Sequence, residues 1–200
     1  VTDPPYGINL DVDFAHTNSW RSIGSQQALT GHAIRQSRYK PITGDDAPFD
    51  PEPVLSLWDA EEMFLFGADY YSERIPDRLK GSWLVWDKRK ENQSEGFGSE
   101  FELIFSRRNH KRRMLRHPWL GFMKFGDGSF KERRLHPAQK PVALIKDIIS
   151  QWCSERAGVI ADPYIGSGTT LIACEQLDRR CFGMEIEPRY VQVTLERWMR

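Results

Sequence analysis

The stretch from Gly158 onward constrains the fold of this chain more than any other part of it. Gly158-Val159-Ile160-Ala161-Asp162 is a short apolar strand, and Gly166 to Leu177 is a glycine turn that enters a helix. Cys181 to Met184 is a second strand, and Pro188 opens a helix that runs through Arg189 to Arg200. Proline is tolerated at such a start because the first turn has no partner for its missing N–H. Strand, helix, strand, helix in this order is half of a nucleotide-binding parallel sheet. The spacing therefore predicts an α/β architecture built on a mostly parallel twisted sheet.

Upstream, Val142, Leu144, Ile145, Ile148 and Ile149 recur at helical spacing between Pro141 and Trp152. Ser82 to Trp86 and Phe101 to Phe105 are short apolar runs that predict buried strands. Residues 8–53 are rich in Gly, Ser, Asp, Asn and Pro and predict a long irregular segment. A helix is expected from about Asp59, capped by Asp59 with Glu62 three residues on, carrying Met63, Phe64, Phe66 and Tyr70 and stopping at Pro76. Residues 107–134 are expected to form a small hairpin-like insertion. Pro4-Pro5 cannot continue a sheet, so a strand leading into them is expected to lie mostly upstream of Val1.

With 200 residues, 7 Trp, 6 Tyr and 11 Phe, the chain suits one domain, 1–200, and excludes a disordered or collagen-like class. No apolar run approaches the roughly 18 residues of a membrane helix, and no signal peptide opens the chain. Cys153, Cys174 and Cys181 form no CxxC pair, and the histidines lack metal-ligand spacing, so neither a disulfide framework nor a metal is expected. A cytoplasmic setting follows as the expectation. Formal charges cancel, 28 against 28, yet 107–140 carries eleven basic residues against Asp127 and Glu132. Neutrality can thus hide a positive face that a polyanion would feel, or a solvated basic loop.

The turn Asp162-Pro163-Tyr164-Ile165-Gly166-Ser167-Gly168-Thr169-Thr170 follows a strand and opens a helix. Its glycines let a ligand approach the backbone, and the helix start offers unpaired N–H groups. Glu185 closes the next strand, where doubly wound folds hold a ribose diol. A P-loop lacks its Lys after Gly168, and a dinucleotide fingerprint has Leu171 at its third glycine. S-adenosylmethionine, an adenosine without phosphates, suits the pattern best; a turn that merely reverses the chain is the plainer alternative.

At the other end stands Asp3-Pro4-Pro5-Tyr6-Gly7. The prolines remove two amide donors and fix φ, leaving the Pro4 carbonyl as an acceptor beside the Asp3 carboxylate. Two converging acceptors match an amino group with two N–H donors, and Tyr6 can stack on a planar base. A proline-rich turn with a capping Asp is the bland alternative.

Asp3-Pro4-Pro5-Tyr6, then His136-Pro137-Ala138-Gln139-Lys140-Pro141, then the glycine turn, resemble the three signatures of amino-group DNA methyltransferases. Their order resembles the permuted β class of that family, in which the DNA-reading region lies between the catalytic and cofactor halves. Trp83 to Lys88 and Tyr39 to Asp46 also resemble phage-related members. The resemblance implies a Rossmann-like S-adenosylmethionine-dependent methyltransferase fold, circularly permuted and shortened at its amino end, since the family's upstream strand is missing. Tyr164 stands where the family more often has Phe.

The implied roles follow residue by residue. Asp3, Pro4, Pro5 and Tyr6 would hold a flipped-out target base. Lys140 and Pro141 would lie near the methionine end of the cofactor. Asp162, Pro163, Tyr164, Gly166, Ser167, Gly168, Thr169, Thr170 and Glu185 would complete its site. Arg107, Arg108, Lys111, Arg112, Arg113 and Arg116, within the insertion at 107–134, would contact double-stranded DNA as a short target-recognition region. Asp at the first motif position implies adenine N6, with cytosine N4 as the alternative. A non-catalytic nucleic-acid-binding module and a nicotinamide oxidoreductase are the rival classes. A homodimer and a restriction-enzyme partner are left open.

Overall fold

The computed structural model describes residues 1–12, 39–57, 59–76, 78–89, 99–119, 135–153 and 158–199. In chain order these form α1 (Glu52–Leu57), β1 (Phe64–Phe66), a 3-10 segment (Ala68–Arg74), β2 (Ser82–Asp87), β3 (Phe101–Ser106) and β4 (Met114–Arg116). Then come α2 (Val142–Trp152), β5 (Ile160–Asp162), α3 (Thr169–Gln176), β6 (Cys181–Gly183) and α4 (Pro188–Trp198).

Four strands pair in the order β1-β3-β2-β4 and two more as β5-β6. The β2/β4 and β5/β6 pairs are parallel, whereas β3 runs antiparallel between β1 and β2. The start of the chain lies between the two groups. Thr2 makes a parallel bridge to Leu65, donating to Phe64 O at 2.9 Å and accepting from Phe66 N at 3.1 Å. On the other side Val1 N donates to Ala161 O at 3.2 Å. Residues 1 and 2 thus serve as a strand stub ahead of the prolines, which cannot carry the ladder further.

Helix α2 lays Leu144, Ile145, Ile148 and Ile149 against Phe64, Phe66, Leu84, Trp86 and Ile104. Its 3.6-residue periodicity puts those four on one face. Ala173 and Cys174 of α3 belong to the same cluster, which gives Cys174 a core role. A second cluster packs Phe49, Val54, Met63, Leu65, Tyr71 and Phe105.

The helix expected from Asp59 is not formed. Met63 to Phe66 are all buried, and Phe64–Phe66 is β1, paired to β3. A run buried on both faces suits an inner strand, whose neighbours supply the hydrogen bonds a helix would make internally. Glu62 caps no helix: its carboxylate accepts from Ser106 Oγ and Arg108 N, both at 3.2 Å, and meets His110 Nε2. Gly67, at φ 58, then turns the chain into the 3-10 segment.

The expected strands at 82–86 and 101–105 and the helices after Pro141, Gly168 and Glu187 are present. Of the irregular segment 8–53, residues 39–51 carry no strand or helix, α1 begins at Glu52, and 13–38 lie outside the described residues. The span 107–134 begins inside the body, because Met114–Arg116 is β4 and pairs with β2. Residues 120–134, which hold the expected turns, lie outside the described residues.

Candidate active site

The loop after Tyr6 is shaped by one buried acid. Asp45 accepts from Gly7 N at 2.8 Å and Leu10 N at 2.7 Å, and its carbonyl accepts from Asn9 N at 2.7 Å. Gly7 sits at φ 75, and a Cβ there would meet Ala47 O at 2.5 Å, so the turn requires glycine. This fold-back puts Asp3, Pro4, Pro5 and Tyr6 along one wall of a cleft of about 1220 Å³.

Asp3 is held on both carboxylate oxygens. Tyr6 OH donates to Oδ1 at 2.6 Å and Lys140 Nζ donates to Oδ2 at 2.6 Å. Lys140, just ahead of α2, also reaches Tyr6 OH at 3.2 Å and Glu102 Oε2 at 3.4 Å. Glu102 comes from β3, and its other oxygen accepts from Lys88 Nζ at 2.5 Å. Two carboxylates and two ammoniums therefore balance in one nearly dry cluster, with the Lys140 side chain 8% exposed.

Burial pushes the Asp3 carboxyl up, against the pull of the Lys140 ammonium. Burial alone would lower Lys140, but the Asp3 and Glu102 carboxylates outweigh it and hold the ammonium protonated. Glu102 is likewise penalised by burial, yet Lys140 and Lys88 bring it below the ordinary carboxylate value. Burial, then the charges of Asp3 and Glu102, push the Tyr6 phenol well up, so Tyr6 remains a donor. The Tyr6 ring stacks on Tyr70, centroids 5.2 Å apart at 14°.

The far wall comes from the carboxyl-terminal half. Gly166 and Gly168 both have positive φ, at 55 and 82. Gly166 N donates to Glu185 Oε2 at 2.9 Å, and Glu187 N donates to Glu185 Oε1 at 2.8 Å. Lys140, Pro163, Tyr164, Gly166 and Glu185 all line the same cleft as Asp3. Asp162, Ser167, Thr169 and Thr170 stand behind it, around a small internal pocket. Asp162 accepts from Thr2 Oγ1 at 2.7 Å, Thr170 Oγ1 at 2.6 Å and Tyr164 N at 3.1 Å. Ser167 donates to Gln139 Oε1 at 3.2 Å and Thr169 to Lys140 O at 3.1 Å, so these hydroxyls seat the Lys-Pro segment. Pro141 is the N-cap of α2 and Gly168 that of α3; neither lines the cleft.

None of the six basic residues assigned to DNA lines the cleft. Arg107 donates to Ala60 O at 2.9 Å and Leu55 O at 3.0 Å. Arg108 pairs with Glu61 at 3.2 Å, Arg113 with Gln151 at 2.9 Å and Arg116 with Asp87 at 3.3 Å. Lys111 and Arg112 are exposed. Sequence reasoning missed Glu102, Lys88 and Asp45. A lone Glu inside the apolar run FELIF was the available signal for Glu102, because a charge in a buried strand demands a partner. Among the described residues no group of His, Cys, Asp or Glu could hold a metal ion, and no helix is long and apolar enough to cross a membrane.

Asp3 with its two prolines, and the glycine turn with its spaced acid Glu185, thus line one cleft. The sequence model of the N6/N4 DNA methylases, described as "DNA methylase", matches residues 59–196, and the chain belongs to that family. It is 42% identical to the type II methyltransferase M.ScaI of Streptomyces caespitosus, over 98% of this chain and 73% of that protein. It is 37% identical to M.HpaI of Haemophilus parainfluenzae, over 34% of this chain and 21% of that protein. The fold matches that of the PvuII DNA methyltransferase, described as cytosine-N4-specific, with a TM-score of 0.57 at 12% identity, covering 100% of this chain and 78% of that one.

Proposed function

We propose that this methyltransferase uses S-adenosylmethionine to methylate the exocyclic N6 of adenine in a nucleotide flipped out of duplex DNA. The observation that carries the reading is the Asp3 carboxylate, fixed by Tyr6 and Lys140, in one cleft with Gly166 and Glu185.

The residues present fit the cofactor. Glu185 offers a carboxylate to a ribose diol, and the Tyr190 hydroxyl in the cleft wall is buried with no partner among the described residues. Pro163, Tyr164 and Ile186 supply apolar wall for a purine. The cleft exceeds the roughly 300–1,000 Å³ of a single-ligand site, which leaves room for a base as well. When bound, the cofactor supplies a methyl group on a sulfonium, already activated as an electrophile.

An exocyclic amine is a weak nucleophile because its lone pair is delocalised into the ring. Asp3 and the Pro4 carbonyl accept its two N–H bonds and favour a pyramidal nitrogen, so positioning and electrostatics carry the catalysis. Each carboxylate oxygen has two lone pairs, so Asp3 can accept an amine without releasing Tyr6 or Lys140. The Tyr6 ring offers a stacking surface for the base, with Tyr70 beside it. The basic stretch 107–134 contributes phosphate contacts. Asp at the first motif position favours adenine over cytosine.

The test is incubation with duplex DNA and methyl-labelled cofactor, followed by digestion to nucleosides. Label in N6-methyladenine is expected. Label in N4-methylcytosine would move the target to the other base, and label in neither would overturn the reading. Asp3→Ala should abolish transfer while leaving cofactor binding by calorimetry intact.

A further inference from the structure

We propose that Glu102 is a positioning residue for the Asp3 carboxylate, acting through the one ammonium that the two acids share. The proposal rests on the reading of Asp3 as the amine acceptor. Burying a carboxylate is unfavourable unless it is paired, and Lys88 at 2.5 Å is a sufficient partner for a purely structural role of Glu102. Such a role would occupy one oxygen. The other, Oε2, is turned into the site, 3.4 Å from Lys140 Nζ and 3.5 Å from Tyr6 OH.

Lys140 has three N–H donors, and three acceptors surround it: Asp3 Oδ2 at 2.6 Å, Tyr6 O at 3.2 Å and Glu102 Oε2 at 3.4 Å. With Glu102 ionised, the ammonium is divided between two acids, and Asp3 keeps enough negative charge to accept a further N–H. With Glu102 neutral, the ammonium belongs to Asp3 alone and draws on its negative charge, which weakens it as an acceptor for the amine. The charged and titratable groups facing this pair are Tyr6 on its own segment, Lys140 ahead of α2, Glu102 on β3, Lys88 past β2, and Asp69, Tyr70 and Tyr71 on the 3-10 segment. The Glu102 charge raises the proton affinity of Asp3, the direction that geometry requires.

The test is a carbon-13 titration of the Asp3 carboxyl in the full chain without cofactor, assigned with Asp3→Asn. In Glu102→Gln the Asp3 midpoint should move to lower pH, and Glu102→Asp, which keeps the charge, should return it toward the wild-type value. A Glu102→Gln protein that melts as wild type but leaves the midpoint in place overturns the proposal, as does a Glu102→Asp protein that behaves like Glu102→Gln. Where Glu102→Gln does not fold, Lys88→Met serves instead: it removes a cation, so the Asp3 midpoint should rise, and an unmoved midpoint overturns the proposal. Methyl transfer reads the same linkage. In Glu102→Gln kcat should fall about tenfold, with KM for DNA within about threefold and the acid limb of the pH profile shifted down. A midpoint that moves in a protein whose wild type labels neither base supports the grip of Glu102 on Asp3 and removes the methyl-transfer reading instead.

Discussion

Tyr6 owes its place to a residue with no side chain. Gly67 sits at φ 58, and a Cβ there would run into the Tyr6 ring. Gly67→Ala should displace that ring and cost about 1–3 kcal/mol of stability. Methyl transfer should fall by about tenfold or more while cofactor binding holds, which paired melting, kinetic and calorimetric measurements check. Asp87, at the end of β2, is 2% exposed and bonds Arg89 at 3.1 Å and Arg116 at 3.3 Å. Burial pushes its carboxyl up, but the guanidinium bonds of Arg89 and Arg116 outweigh this and hold it below its ordinary 3.8. A lowered carboxyl contributes stability that is present above the ordinary value and is lost as pH falls through the folded one. Asp87→Asn should therefore lower stability by about 1–2 kcal/mol at neutral pH. In urea titrations the gap to wild type should close below about pH 4.

Among the elements, β5 and α3 are fastened by Asp162, whose carboxylate gathers Thr2, Thr170 and Tyr164. Asp162→Ala leaves two buried hydroxyls without their acceptor and should cost about 2–4 kcal/mol in a thermal melt, whereas Thr2→Val should cost only about 1. Elements with a clean period were legible in advance. Helix α2 shows a 3.6-residue apolar face, Pro188 marks the start of α4, and β2 and β3 are short apolar runs between turn residues. The segment from Asp59 was misread because Met63, Phe64 and Phe66 behind Glu61 and Glu62 fit a capped helix as well as a strand. Only the neighbours of β1 decide between the two. The site divides in the same way. Asp3, Tyr6, Lys140, Gly166 and Glu185 lie in short local motifs and could be named in advance. Glu102 and Asp45 matter through partners far away in sequence, Lys140 and the Gly7–Leu10 turn, which no local pattern records.

For the whole molecule, the contrast between a balanced total and a basic stretch has a measurable consequence. Lys111 and Arg112 are exposed, while Arg107 and Arg116 are tied into the body. If the stretch meets phosphates, Lys111→Ala and Arg112→Ala should each reduce the slope of log affinity against log salt by about 1. An unchanged slope in filter-binding or anisotropy titrations would assign DNA contact to another surface.

The bond between Thr2 and Asp162 spans 160 positions of sequence. Such a contact closes late, after a long loop has been brought together. During synthesis residues 1 and 2 leave the ribosome long before β5, and their strand stub stays unpaired on one side until β5 follows. A copy without that strand has no second wall for the cleft, and Asp3 then stands on an open surface.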